Sequence, residues 1–249
     1  MNPLSKVFSI LEKVVENQEA GVTYSEIVSS LDLPKSTVHR ILKDLTEIGY
    51  LNFNPETKKY SGSLHLAALG AEVTAHFKLR EHLRPYLLEM HRETQHTTNM
   101  GVIDGTVGVF LEKIESRDFG IKLFSAIGKT FPLHCTGLGK VLLAFSSNDT
   151  VAKVLKPTLE ALTDKTVTDP EQFLRELAQV RELGYAVDNE EITRGIICVA
   201  APIFGLRDEL VCAISLTFPV YIKEDRGIDR EISVITRYAA RISESLGLR

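Results

Sequence analysis

Residues 23 to 49, TYSEIVSSLDLPKSTVHRILKDLTEIG, constrain this chain more than any other stretch. They read as two short amphipathic helices joined by a tight turn. The first opens with a capping box, in which Thr23 accepts from the amide of Glu26 and Glu26 reaches back to the amide of Thr23. Ile27, Val28 and Leu31 form its buried stripe. Asp32 and Leu33 make the turn, and Pro34 suits the first position of the next helix, where a missing N–H costs nothing. The second helix repeats apolar residues at Val38, Ile41, Leu42, Leu45 and Ile48, a helical period, and Gly49 follows as its C-terminal cap. With that stripe buried, the outward face carries Lys35, Ser36, Thr37, His39, Arg40 and Lys43. Hydroxyls and cations on the N-terminal half of a second helix are what a recognition helix presents to base edges and phosphates. Ser25 on the first helix joins this candidate DNA-contacting set. A plain helical hairpin with a solvated face, serving as a protein-interaction module, shares the pattern.

The flanks extend the motif. Upstream, Leu4, Val7, Phe8, Leu11, Val14 and Val15 are expected on one face of a helix packed across the pair. Downstream, Tyr50 to Phe53, the turn Asn54 to Thr57, and Lys58 to Tyr60 read as a β-hairpin. Three helices and a hairpin make a winged helix-turn-helix over residues 1–62, with Lys58 and Lys59 placed for backbone phosphates. Net charge does not help: residues 1–62 hold seven Lys/Arg against eight Asp/Glu, and the whole chain is −4. Weak local charge requires several subunits and specific contacts to hold DNA at physiological salt, which argues for an oligomer.

The 249 residues, 44% hydrophobic and 25% charged, describe a globular protein with room for one large or two modest domains. No apolar run is long enough for a membrane span, since Lys140 interrupts the best candidate, and no signal-peptide pattern opens the chain. Three cysteines without framework spacing fit a reducing compartment, so the cytoplasm is the expected location and no membrane partner is expected.

A linker helix is expected over 63–77, with Leu66, Leu69, Val73 and Phe77 on one side and Ala67, Ala68, Ala71 and Ala75 allowing close approach of another helix. A second helix from about Leu79 to Thr94 carries Leu83, Leu87 and Met90. Beyond residue 96 strands are expected at Asn99 to Ile103, Val107 to Ile114, Ile121 to Ala126, Tyr185 to Asp188, Gly195 to Phe204 and Leu210 to Phe218. Helices are expected at Gly137 to Phe145, from Asp169-Pro170 to Gly184 (Phe173, Leu174, Leu177, Val180 and Leu183 inside), and at Ile228 to Leu246. Residues 78–249 are then an α+β domain with an antiparallel sheet.

Four features of that domain can carry chemistry. LHCTGLGK (133–140) lacks P-loop spacing, but Thr136 can cap a helix starting at Gly137, leaving the Gly137 and Leu138 amides for an anion or for nothing. In Asp188-Asn189-Glu190-Glu191 the last three are expected in solvent, while Asp188 can point inward. In Leu210 to Phe218, Cys212, Ile214, Leu216 and Phe218 share one face, and Val211, Ala213, Ser215 and Thr217 the other. The second face suits a ligand or solvent. On the neighbouring strand Cys198 alternates with Ile196 and Ala200. Cys135 beside His134, and Cys198, are the candidates for a nucleophilic thiol, although adjacent residues in an extended segment point apart and metal-ligand spacing is absent.

Three blocks, LPKSTVHRILKDLTEIGYL, LHCTGLGKVLLA and GYAVDNEEITRGIICVAAPIF, resemble the isocitrate-lyase-regulator (IclR) family of bacterial transcription factors. The resemblance covers nearly the whole chain. It implies an N-terminal winged helix-turn-helix, a linker helix and a C-terminal effector-binding domain related to GAF and PAS sensors, assembled as dimers or dimers of dimers on operator DNA. It also implies an effector pocket using the Gly137 and Leu138 amides, polar contacts from Asp188, Cys198, Ser215 and Thr217, and an apolar lid of Leu123 and Phe131. Cys135, Gly137 and Gly205 depart from the family's usual residues. The expectation is a metabolite-responsive regulator, in the repressor sense, needing no cofactor or metal and answering to a small organic acid. The alternative is a thiol-dependent enzyme using Cys135 or Cys198.

Overall fold

Local signals at helix ends define the first part of the chain. In the computed structural model, which describes residues 2–75, 78–116, 125–155 and 157–247 (side chains of 71–75 excepted), α1 spans Pro3–Glu16. Asn2 caps it by accepting from the amide of Ser5 at 2.8 Å. The capping box forms as expected around α2 (Tyr24–Ser30), Thr23 donating its amide to Glu26 at 2.7 Å and Glu26 donating its own to Thr23 Oγ1 at 3.3 Å. The next helix, α3, runs Lys35–Glu47, with Pro34 at the cap position, one residue earlier than its sequence suggests. Gly49 adopts φ +83°, which lets the Tyr50 amide return to the Leu45 carbonyl at 2.9 Å.

The wing is β2 (Leu51–Asn54) and β3 (Lys59–Gly62), and a two-residue strand, β1 (Val22–Thr23), completes a three-stranded sheet in the order β1-β3-β2. Ile10, Val14, Val22, Ile27, Val38, Ile41, Leu42, Leu45 and Leu51 form the core. Three expected contributors do not: Leu4, Phe8 and Val15 on α1 are exposed. They lie on the adjoining i, i+4 row, and one small three-helix core covers only the row through Ile10 and Val14. Ile48 is exposed as well, because it follows the last helical residue, where the chain turns away. The linker helix α4 is Leu64–Ala75; of its expected apolar side, Val73 and Phe77 lie outside the described side chains. Two compact units divide the chain, Met1–Phe77 and Lys78–Arg249.

The second unit is built on six antiparallel strands: β4 (Thr97–Asp104), β5 (Val107–Ile114), β6 (Thr130–Phe131), β7 (Ala186–Asn189), β8 (Ile196–Phe204) and β9 (Leu210–Pro219), in the order β6-β5-β4-β9-β8-β7. Alternation decides which side chain goes where. Cys212, Ile214, Leu216 and Phe218 on β9, with Ile197, Val199, Ala201 and Ile203 on β8, pack under α5 (Lys78–Thr94) and α10 (Asp229–Gly247). The opposite face, Ala200 and Ala213 among it, packs under α6 (Gly137–Ala144) and α8 (Pro170–Leu183). Both faces are covered, so the small-residue face of β9 is interior, not solvent.

Two further short helices, α7 (Asn148–Val154) and α9 (Val220–Arg226), carried no clear sequence signal, and nor did β6. The strand expected over Ile121 to Ala126 lies largely outside the described residues; Ser125 and Ala126 are not in a strand. On α8, Phe173, Leu177 and Val180 are buried but Leu174 and Leu183 are exposed. Leu174 sits one residue off the inward row, and Leu183 in the last turn before the αL cap at Gly184. Among the described residues no helix is long and apolar enough to cross a membrane.

Two close approaches need glycine. A Cβ on Gly108 would lie 2.1 Å from the Phe131 ring, so Gly108, with Gly101, forms the slot that the ring fills. A Cβ on Gly139 would lie 2.4 Å from the carbonyl oxygen of Leu133, which is backbone and cannot swing aside. Gly139→Ala is therefore expected to push α6 off the preceding loop and to cost about 1–3 kcal/mol or more. A thermal melt reads this as a fall of at least a few degrees; an unchanged Tm would show that the loop yields freely.

Candidate functional site

On α3, burial of Val38, Ile41, Leu42 and Leu45 turns Lys35, Ser36, His39, Arg40 and Lys43 outward into solvent, with Thr37 half-buried beside them. Arg40 and Lys43 are held only loosely, by Asp44 and Glu47 one turn on, each at 3.6 Å between exposed side chains. Such pairs exchange readily for a phosphate or a base edge. The start of α3 is fixed by Tyr24, whose hydroxyl donates to the Lys35 carbonyl at 3.0 Å and whose ring meets His39 edge-on. Ser25 is exposed on α2. The two wing lysines separate: Lys58, at φ +55°, is exposed at the tip, whereas Lys59 turns back and donates to the Ala20 carbonyl at 2.8 Å. Lys59 is spent on joining the wing to the loop before β1, contrary to the pairing of the two as phosphate contacts.

In the second unit a cavity of about 50 Å³ lies between the sheet and the start of α6. At roughly 10–15 Å³ for each water, it has space for about four. The structure brings together here most of the residues the sequence nominated: Gly137, Leu138, Asp188, Cys198, Ser215 and Thr217 all line it. Thr136 caps α6 by accepting from the Gly139 amide at 3.0 Å, while its own hydroxyl donates to the Pro132 carbonyl at 2.8 Å. The amides of Gly137 and Leu138 precede the first intrahelical bond and complete no other hydrogen bond among the described residues. They remain as donors at the positive end of the helix.

Opposite them the sheet supplies the side chains. Asn99, 2% exposed in the middle of β4, donates its amide toward Ser215 Oγ at 3.4 Å and Thr217 Oγ1 at 3.3 Å, while its Oδ1 has no partner among the described residues. Cys198 faces Thr217 across the β8–β9 pair, Sγ to Oγ1 at 3.1 Å. Asp188 is completely buried and lies opposite Cys198 on β7. Its Oδ1 accepts from the Glu191 amide at 2.7 Å, and Oδ2 completes no hydrogen bond among the described residues. Burial raises its pKa from the usual carboxylate range to about 7; the Glu191 amide and Lys140 pull the other way and the Glu191 carboxylate adds to the rise. The Ser125 hydroxyl, also buried and without a partner among the described residues, lines the cavity too.

Asn99 and Ser125 escaped the sequence reading. A single amide between apolar strand residues was the available signal for Asn99; nothing marked Ser125. The two expected lid residues fare differently from the rest. Phe131 is a core ring stacked on Phe110 at 4.4 Å, and it is Phe110 that reaches the cavity wall. The slot made by Gly101 and Gly108 draws Phe131 behind it. Leu123 lies outside the described residues.

Behind the cavity sits a group that the sequence placed in solvent. Glu191 is only 4% exposed. With Glu176 of α8 it grips Lys140, whose fully buried ammonium lies 2.5 Å from Glu191, 2.6 Å from Glu176 and 3.3 Å from the Val187 carbonyl. Burial opposes the charge on Lys140, but the two carboxylates outweigh it and raise the pKa, so it stays an ammonium. Only the tertiary fold shows this, because the partners are 36 and 51 residues away. Lys140 ties the back of α6 to the turn that carries Asp188. Glu190 is also drawn in rather than left in solvent: its side chain is half-buried, accepts from the Gly195 amide at 2.8 Å and pairs with Lys165.

The thiols are poor nucleophiles. Burial, reinforced by Asp188 and Glu191, pushes Cys135 up to about 12, and burial beside Asp188 also raises Cys198. His134 directs Nε2 to the Glu160 carbonyl at 2.8 Å and forms no pair with Cys135. Among the described residues neither of these two cysteines is paired with an activating base, so the arrangement expected of a nucleophilic thiol is not formed there.

Known proteins match both units. Residues 3–55 match the family model of the IclR helix-turn-helix domain, and residues 71–244 that of the bacterial transcriptional regulator IclR C-terminal domain. The chain is similar to the HTH-type transcriptional regulator KdgR of Escherichia coli, at 33% identity over 243 residues, covering 97% of this chain and 91% of that one. Among solved structures it is similar to the IclR of Thermotoga maritima, with a TM-score of 0.75 and 31% identity over 99% of both chains. The same fold is found in an IclR homologue from Microbacterium hydrocarbonoxydans complexed with 4-hydroxybenzoate, with a TM-score of 0.81 at 22% identity over 98% of this chain and 99% of that one. A DNA-facing helix in the first unit, a lined cavity in the second and matches across both lead to one conclusion: the chain belongs to the IclR family of DNA-binding transcriptional regulators.

Proposed function

We propose that this regulator is a repressor that occupies a palindromic operator as a homodimer or homotetramer and changes its grip when a short-chain organic acid enters the C-terminal cavity. On the DNA side, Lys35, Ser36, Thr37, His39, Arg40 and Lys43 enter the major groove, with Ser25 and Lys58 at flanking phosphates. On the effector side, the acid's carboxylate rests on the Gly137 and Leu138 amides, and its other polar atoms meet Asn99, Asp188, Ser215 and Thr217. One observation supports the effector reading: buried polar atoms without partners among the described residues, Asn99 Oδ1 and Asp188 Oδ2, line the same cavity as two helix-start amides that are likewise uncommitted there. Buried polar groups are nearly always satisfied, so polar atoms that converge on one cavity without protein partners there suit a polar ligand, or the water it displaces. That the Microbacterium homologue binds a hydroxylated carboxylate agrees in chemistry, though the space here suits a smaller molecule.

The effector acts only through a difference in affinity between operator-binding and non-binding geometries, typically ~1–3 kcal/mol, or about 5- to 150-fold in operator affinity. The test captures source-genome fragments on the purified full chain at low salt, maps the protected site and titrates short carboxylic acids against the complex. A palindromic footprint whose affinity shifts with one acid supports the reading; no retained fragment, or no response to any acid, overturns it. Ser215→Ala with Thr217→Val removes both hydroxyls at almost constant volume. Hydrogen bonds between neutral groups contribute ~0.5–1.5 kcal/mol each, so the acid concentration giving half-response is expected to rise about fivefold or more, with operator binding in the absence of acid within about twofold of wild type. An unchanged acid response would move the effector away from β9.

A further inference from the structure

We infer that Asp188 is a specificity-determining residue that meets the effector as a neutral carboxylic acid, so that the cavity selects a hydroxy acid and takes up a proton from solution as it binds. This rests on the effector reading above and assigns the second polar group of the ligand. The groups facing Asp188 come from every side: Glu191 in its own turn, Lys140 on α6, Glu176 on α8 through Lys140, Cys135 before α6 and Cys198 on β8. Three carboxylates therefore share one ammonium, and that ammonium is already bound by two of them, Glu176 and Glu191. Asp188, itself completely buried, is left without a cation of its own. A ligand carboxylate at the α6 amides adds a further negative charge to the same cavity. Two like charges that cannot be screened do not both persist, and the one with the weaker hold gives way. The ligand's carboxylate rests at the positive end of a helix, whereas Asp188 is completely buried beside Glu191 and burial outweighs the Glu191 and Ile192 amides that favour its charge, so it is Asp188 that takes the proton.

Protonation changes what Asp188 can recognise. Oδ1 still accepts from the Glu191 amide, and Oδ2 becomes an O–H donor aimed into the cavity. Asn99 Oδ1 remains an acceptor in the same cavity. A hydroxyl satisfies both, accepting from Asp188 and donating to Asn99; a methyl satisfies neither, and an ammonium cannot accept from the acid. The direction of the pH dependence follows. With Asp188 titrating near 7 in the free protein, it is already protonated at pH 6 and binding takes up little. At pH 8 it is mostly ionised, each binding event takes up close to one proton, and affinity is about tenfold weaker than at pH 6.

The experiment is isothermal calorimetry on the full chain with glycolate, lactate and glycerate, alongside acetate and propionate, at pH 6 and pH 8. Each pH is run in two buffers of different ionisation enthalpy, which reads proton uptake directly. The inference expects a hydroxy acid to bind at least tenfold tighter than its deoxy counterpart, with near-stoichiometric uptake at pH 8 and little at pH 6. Asp188→Asn keeps the shape and an N–H donor without the titration, so it should bind about tenfold tighter than wild type at pH 8 and lose the pH dependence. The wild-type buffer comparison decides the matter even where that variant fails to fold. A bound acid with no proton uptake at pH 8, or a preference for the deoxy acids, overturns the inference and leaves the effector reading in place. Failure of every acid to bind at either pH overturns the effector reading and the inference with it.

Discussion

Lys140→Met is expected to cost the C-terminal unit about 3–5 kcal/mol, the usual penalty for removing one partner from a buried ion pair. For a unit of this size that is on the order of 10 °C in Tm. Methionine fills much of the volume, so the loss measures charge rather than a cavity. Half-buried Glu176 and buried Glu191 would be left facing each other with no cation between them. The pH dependence has a definite sign. Burial already raises the pKa of Glu191 with Lys140 present, and removing the cation raises it further. Carboxylates with raised pKa values destabilise the folded state above those values, so the variant's deficit should shrink as pH falls toward 5. The triple variant Lys140→Met, Glu176→Gln, Glu191→Gln should recover most of the stability, because a neutral set has no unpaired charge. Urea melts at pH 5 and pH 8 check both statements. A single-variant loss below about 1 kcal/mol at pH 8 would mean that the cluster holds no net buried charge.

Arg40→Ala is expected to weaken operator binding on the order of 100-fold while leaving the fold intact. A good base contact is worth about 1–3 kcal/mol, and each molecule of a paired assembly loses one. The fold loses only an exposed i, i+4 pair with Asp44, worth about 0.3–0.5 kcal/mol. Binding measured across salt concentrations and operator variants separates two roles. A phosphate contact lowers affinity for all sequences and reduces the salt slope by about one for each copy, whereas a base contact relaxes preference at one position of each half-site. Unchanged affinity would take Arg40 out of the reading face.

What could be read in the sequence depended on how local the cause was. The capping box at Thr23 and Glu26, the apolar period of α3 and the glycine ending it act within four or five residues, and they appear in the structure as expected. The alternation along β9 was equally plain: it assigned Ser215 and Thr217 to one face and Ile214 and Leu216 to the other. Distant partners were invisible. Glu191 in a run of acidic residues looks solvated until α6 brings Lys140 to it, and Phe131 looks like a pocket lid until the slot at Gly101 and Gly108 is known. Strands of two residues, β1 and β6, are too short to show a period. Exposed Leu4, Phe8 and Val15 illustrate the opposite error, since an apolar row indicates what a helix can bury and not what this unit has available to cover it.

The alternation on β9 has one more consequence. Ser215 and Thr217 reach the cavity only because Ile214 and Leu216 point the other way, and β9 is a central strand paired on both edges. A pairing error of one residue would bury the two hydroxyls beneath α10 and fill the cavity with leucine and isoleucine. Acid binding is thus a mark of folding fidelity: a chain that takes up the acid has its central strand in the right place, and the fraction of a refolded preparation that binds counts the correctly threaded molecules.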